Sequence, residues 1–318
     1  MQIERWESFG ITHAGKCRVN NEDAVLAEDH AKIWAVADGM GGHAKGEFAS
    51  KLIIGALSRV KLHDTLADRF SALEEAILNA HLALSAFSAS SLNGDICGAT
   101  MVVFVASENM GLCLWEGDSR LYRLRQGKLQ QITADHSSST TTVTGRLSVL
   151  VSRAVGAGHS KPEACAVFFK PDDLYLLCSD GLYNELTASE IEAILITNNT
   201  VSVLCQALLS EAMSKEARDN ISCVLIKPVF TSGVFFHADE GKINSLLNRL
   251  SSDYEQKKIT RDLYLNKIKE LISCFDSFLR KHELLSNKKK KNRIGLWFLM
   301  FKFKSYVQRL NSASSIER

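Results

Sequence analysis

Acidic residues stand at the ends of apolar runs in this 318-residue chain, and that arrangement constrains its fold more than any other feature. Ile33 to Ala37 leads into Asp38, Leu112 to Trp115 precedes Asp118, and Leu174 to Cys178 precedes Asp180. Asp219-Asn220 instead opens a run, Ile221 to Ile226. Runs of this length, rich in Val, Ile, Leu and Trp, have the character of buried strands. The four acids are therefore expected to gather at one rim of a sheet or sandwich.

Crowded carboxylates repel unless a cation neutralises them, and an all-oxygen site selects Mg²⁺ or Mn²⁺ over zinc. The expectation is a metal-dependent hydrolase. The composition, 46% hydrophobic and 23% charged, is that of an ordinary soluble globular protein, and the chain is long enough to bury a sizeable core. The net charge of +2 hides an asymmetry. Residues 237–318 carry roughly 18 basic and 9 acidic side chains, against roughly 20 and 27 in the rest. An acidic body suits a site that concentrates divalent cations, and a basic tail suits an anionic partner such as phospholipid headgroups.

The eight cysteines are scattered with no Cys-x-x-Cys pair, which argues against a zinc knuckle or redox site and for reduced thiols in the cytosol. The polar opening, with Glu4, Arg5 and Glu7, is unlike a signal peptide.

Along residues 1–228 strand-like and helix-like patterns alternate. Strands are expected at 9–14, 24–27, 32–37, 99–106, 111–115, 120–125, 129–133, 164–169, 174–178 and 221–227, and helices near 47–60, 67–88, 187–197 and 202–215. Thr187-Ala188-Ser189-Glu190 has the form of a capping box. Many strands joined by short turns, with helices inserted in pairs, argue for an α+β sandwich. The hydroxyl-rich stretch HSSSTTTVT, residues 136–144, has little apolar surface to bury and is expected to be an exposed loop, a flap beside the site. Beyond Pro228 apolar residues recur every three or four positions from about 239 to 286, as in amphipathic helices. A Lys-rich tract at 288–293 and an apolar and amphipathic segment at 294–310 follow. Its eight-residue apolar start is far shorter than the roughly 20 residues that cross a bilayer.

The segments GKCRVNNEDA (16–25), VADGMGGHAKGE (36–47), GAT (98–100), WEGDSRLYRL (115–124), CSDGLYNEL (178–186) and RDNIS (218–222) resemble, in family order, the metal-dependent type 2C serine/threonine protein phosphatases of bacterial type. The resemblance spans residues 8–228. It implies a four-layer α/β/β/α sandwich with two central, mostly antiparallel sheets, to which a helical extension over 229–318 is appended.

The chemistry can be reasoned from the residues as well. A phosphate monoester dianion repels anionic nucleophiles, so its hydrolysis requires charge neutralisation and a supply of hydroxide. Two hard cations about 3.5–4 Å apart do both. Asp38 is the candidate bridging carboxylate, with Asp180 and Asp219 completing one ion's shell. The resemblance adds the carbonyl of Gly39 as a ligand, Glu22 reaching a metal through water with Asp23 in support, and Arg18 gripping the substrate phosphate. It also implies that Asp118, with Asp180, holds a third and weaker ion. The alternatives are a surface salt bridge for Arg18 and hairpin-turn chemistry for Asp118 in Gly117-Asp118-Ser119. Asn220 is expected to orient Asp219.

Gly-Met-Gly-Gly at 39–42 lacks the Gly-Lys-Ser/Thr ending of a nucleotide loop. Animal members carry a histidine, a proposed general acid, where Met40 stands here, and methionine cannot donate a proton. His43 is expected to be exposed or helix-capping.

The resemblance thus implies phosphoserine and phosphothreonine proteins as substrates, attack by a metal-bridging hydroxide, and a cognate serine/threonine kinase as the opposing partner. The competing possibility is a noncatalytic phosphoprotein-binding or membrane-tethered regulatory module. The tail is expected to meet a membrane surface, as a peripheral anchor on the inner face, or a protein partner; nucleic acid is not expected.

Overall fold

The structure is a computed structural model that describes residues 3–41, 44–60, 65–91, 95–107, 110–141, 147–231, 240–256, 258–260 and 262–273. Two five-stranded sheets form its centre. The first has the order β1 (Ile3–His13), β12 (Ile221–Phe230), β11 (Leu174–Cys178), β6 (Arg120–Arg125) and β7 (Lys128–Gln131). The second runs β10 (Glu163–Phe168), β5 (Met110–Glu116), β4 (Gly98–Ala106), β3 (Ile33–Met40) and β2 (Asp23–Glu28). Every pairing in both sheets is antiparallel.

Period-two alternation assigns each strand residue to a layer. In β3, Trp34 and Val36 enter the cluster between the sheets, while Ile33, Ala35 and Ala37 face outward. In β12, Val224 and Ile226 point between the sheets, whereas Ile221, Cys223 and Leu225 face the other way. The inter-sheet layer is strongly aromatic: Trp6 packs 4.9 Å from both Trp34 and Phe169, centroid to centroid.

Helices cover both outer faces. Over the second sheet lie α1 (Ala44–Leu57), α2 (Leu66–Ser91), α6 (Glu240–Glu255) and α7 (262–273). Over the first lie α3 (Asp180–Tyr183), α4 (Ala188–Leu195) and α5 (Val201–Ser214). This is the four-layer α/β/β/α sandwich. Thr187 caps α4 as expected: its Oγ1 accepts from Glu190 N–H and its own N–H donates to Glu190 Oε2.

Within the expected amphipathic stretch beyond Pro228 the structure has α6 and α7, whose Ile243, Leu247, Leu250, Ile268 and Leu271 join the same buried cluster as α1 and α2, and its remainder, 274–286, lies outside the described residues. Asn244 hydrogen-bonds both the N–H and the carbonyl of Ala166 on the edge strand β10, at 2.9 and 3.0 Å. The Lys-rich tract, the segment after it and His43 lie outside the described residues. No described helix is long and apolar enough to cross a membrane.

Three expectations are corrected. Within the hydroxyl-rich stretch, Ser137–Thr141 forms a hairpin strand, β8, paired with β9 (Leu147–Val151) rather than a loop, and residues 142–144 lie outside the described residues. Backbone ladder bonds and β-branched threonines support a strand without an apolar face, and the apolar pattern of Leu147–Val151 supplies its partner. β1 starts at Ile3 rather than Phe9, because it pairs along its length with β12 as far as Phe230. The ladder from β11 to β12 ends at Ile226, so Pro228 lies past it. Finally, Asp180 opens a short helix, α3, that no periodic pattern marked.

Candidate active site

The topology delivers each acid to one rim. Asp38 lies near the end of β3, directly opposite Asp23 at the start of β2 and Thr100 on β4. Asp118 follows the end of β5, Asp180 follows the end of β11, and Asp219 precedes β12. Antiparallel order brings these termini, distant in sequence, to one end of the sandwich.

Each of these carboxyls lies within the electrostatic reach of others at this rim. Burial holds the Asp38 carboxyl well above its ordinary range, and the charges of Asp23, Asp180, Asp118 and Asp219 push it further. Asp180 is raised to about 7, first by burial and then by Asp118, Asp219 and Asp23. Asp23 is raised to about 6 by burial, against the hydrogen bonds of Ser222 and Ser179. Burial also raises Asp118. Like charges this close each disfavour ionisation of the others.

Neighbouring groups answer part of this charge. Ser179 Oγ donates to Asp23 Oδ2 at 2.7 Å, Asn184 Nδ2 to Asp180 Oδ2 at 3.1 Å, and Arg18 Nη2 to Asp219 Oδ2 at 2.8 Å. Asp23 Oδ1 is buried with no hydrogen-bond partner. Among the described residues, no three His, Cys, Asp or Glu side chains already close into a cage around an ion. The donors nonetheless fit a hard divalent cation: all are oxygen, several share one electrostatic field, and one buried carboxylate oxygen lacks a donor.

Asn220 is the local organiser. Its Oδ1 accepts from the Glu22 N–H at 2.8 Å, and its Nδ2 donates to the carbonyls of Ala14 and Asn20. Its own N–H donates to Asp219 Oδ1 at 2.9 Å, so Asn220 fixes the Arg18–Glu22 loop against Asp219. Gly39 N–H donates to the Glu22 carbonyl at 3.1 Å. A side chain on Gly39 would collide with the Gly46 backbone, so only glycine brings these segments together. Met40 ends β3.

Sequence reasoning did not single out Ser179, Ser222, Gly46, Tyr183 or His136. Tyr183 donates its hydroxyl to the Asp118 carbonyl at 3.0 Å, under the guanidinium of Arg120, which lies 3.4 Å from the ring centroid. The CSDGLYNEL and GDSR segments contained the signal for Ser179, Tyr183 and Arg120, since each adjoins a candidate ligand. His136 had none, because it lies outside those segments, immediately before β8.

The fold and its acidic rim define the class of the α/β/β/α phosphatases. Residues 12–225 match the family model described as Protein phosphatase 2C, and the chain belongs to that family. The serine/threonine phosphatase stp of Listeria monocytogenes is 32% identical over 237 residues, covering 68% of this chain and 93% of the relative. PstP of Mycobacterium tuberculosis, a serine/threonine protein phosphatase, is 31% identical over 271 residues, 78% of this chain, which spans 52% of that relative's length. Among solved structures, PppA, described as a key regulatory component of T6SS in Pseudomonas aeruginosa, superposes with a TM-score of 0.65 at 33% identity. The match covers 71% of this chain and 99% of PppA. The catalytic domain of PstP in complex with two manganese ions gives a TM-score of 0.63 at 30% identity, covering 71% and 99%.

Proposed function

We propose that this chain is a Mn²⁺- or Mg²⁺-dependent phosphoprotein phosphatase that hydrolyses phosphoserine and phosphothreonine, with residues 1–228 as its catalytic unit and 229–318 as an extension. The observation that carries this reading is the gathering of Asp23, Asp38, Asp118, Asp180 and Asp219 into one field. The relative solved with two manganese ions supports the choice of metal.

When bound, such cations neutralise phosphate charge and acidify water. Asp38 would bridge two ions, Asp180 and Asp219 would complete one shell, and the Gly39 carbonyl with Glu22 through water would serve the other. Asp118, with Asp180, would hold a third, weaker ion. Arg18 is half-exposed at the mouth and exchanges its bond to Asp219 for two phosphate oxygens through its planar fork. Asn220 holds the loop that carries Arg18 and Glu22. Met40 has no proton to give, so water or another group must protonate the leaving serine or threonine oxygen. A covalent phosphocysteine step is disfavoured, since every described cysteine except Cys17 is buried.

The substrates are phosphoproteins, and the natural counterpart is a serine/threonine kinase that makes them. We place the enzyme in the cytoplasm, with the basic tail turned to an anionic membrane surface or a protein partner. The test is hydrolysis of p-nitrophenyl phosphate with added Mn²⁺ by the parent and by Asp180→Asn. Turnover by the parent that collapses in the variant supports the proposal; an inert parent, or a fully active variant, refutes it.

A further inference from the structure

We infer that the C-terminal helices α6 and α7 hold the Asp118 loop in position, with Tyr254 and Lys161 as the positioning residues. Lys161 Nζ lies 4.7 Å from the ring centroid of Tyr254, a cation–π contact. Tyr254 in turn stacks on Tyr264 of α7, with centroids 5.0 Å apart and planes inclined by 16°. The N–H of Lys161 donates to Glu116 Oε1 at 3.0 Å, and the hydroxyl of Ser160 donates to Glu116 Oε2 at 2.7 Å. Glu116 is fully buried, ends β5 and stands two residues before Asp118.

A second connection reaches the same loop. Gly117 N–H donates to His136 Nδ1 at 3.1 Å, and the Gly117 carbonyl accepts from His136 N–H at 2.9 Å. His136 Nε2 lies 3.0 Å from Glu163 Oε1, a close approach without hydrogen-bond geometry. Glu163 opens β10, the edge strand that Asn244 of α6 ties down at Ala166. Both connections start from helices beyond residue 225, where the family match ends. The extension is thus a built-in brace on an element of the shared domain, and a shift of α6 would reach Glu116 and Gly117 before any other part of the acidic rim.

The inference rests on reading Asp118 as a ligand of the weakest ion, and its test separates the two. Hydrogen–deuterium exchange across residues 116–119 is measured on the metal-free full chain, and Mn²⁺ binding is followed by electron paramagnetic resonance. The variants are Lys161→Met and Tyr254→Leu, with Lys161→Arg and Tyr254→Phe as conservative partners. The brace predicts exchange about fivefold faster at Gly117 and Asp118 in the first pair. It also predicts a dissociation constant about fivefold higher for the weakest manganese alone. Lys161→Arg and Tyr254→Phe restore parental behaviour. Parental exchange and parental binding in both Lys161→Met and Tyr254→Leu overturn it. If Tyr254→Leu does not fold, Lys161→Met decides alone, because the Lys161 N–H that holds Glu116 survives that substitution. Faster exchange in a protein whose parent binds no third ion sustains the brace and refutes only the role given to Asp118.

Discussion

Asp23 and Asp38 stand directly opposite one another across the antiparallel ladder of β2 and β3. Like charges in that position are destabilising, and burial raises the cost for both carboxyls. Ser179 and Ser222 relieve Asp23 only in part. The rim is therefore arranged against the stability of the metal-free fold, which is how a site built for a cation is expected to look.

Asp38→Asn removes the most heavily opposed of these carboxylates. The metal-free variant is expected to melt about 2–4 °C above the parent, corresponding to about 1 kcal/mol. Phosphatase activity is expected to vanish at the same time. Thermal melts in chelator, paired with rate measurements in Mn²⁺, check both halves; a lower melting temperature with activity intact contradicts the assignment.

The raised acids also set a pH dependence. Asp180 sits at about 7 in the fold, raised first by burial, whereas an aspartate in the unfolded chain titrates near 3.9, the value of about 4 usual for the free side chain. The folded state therefore binds this proton more tightly. Its contribution to stability is fully present below the unfolded value and is lost as pH rises through about 7. Metal-free protein should lose melting temperature between about pH 5 and about pH 8, and Mn²⁺ should raise it more at about pH 8 than at about pH 6, because the ion competes with the proton. Melts across that range, with and without manganese, provide the measurement.

Arg18 forms an exposed ion pair, which contributes little to folding. Arg18→Met is accordingly expected to keep the parental melting temperature while lowering kcat/KM for a phosphothreonine peptide about 10- to 100-fold. Arg18→Lys, with a point charge in place of the fork, should recover only part of the loss. Steady-state kinetics on the three proteins test this.

Gly117 adopts φ +112°, and a Cβ there would press on Thr100, whose hydroxyl is bonded to Ser119 at 2.7 Å. Gly117→Ala should destabilise the protein by about 2 kcal/mol and displace Asp118. The expected signature is a urea midpoint shifted downward together with weaker binding of the third manganese proposed at Asp118; an unchanged midpoint would show that the turn tolerates a side chain.

Much of this was legible from residues alone, because the strands carrying the acids are short apolar runs and each acid adjoins its run. The register Asp23↔Asp38 was not, since pairing partners 15 positions apart follow from turn geometry rather than composition. The hairpin of Ser137–Thr141 escaped for a related reason: its stability lies in backbone bonds, which leave no apolar periodicity. The packing of α6 on β10 was hidden because an amphipathic stripe announces a buried face but not the surface that buries it.

The most direct test of the central claim is an anomalous difference map at the manganese edge from crystals grown with Mn²⁺. The account predicts two adjacent strong peaks bridged by Asp38, one of them also bound by Asp180 and Asp219, with a weaker third beside Asp118. Manganese bound elsewhere, or no density between these carboxylates in an active crystal, would contradict it.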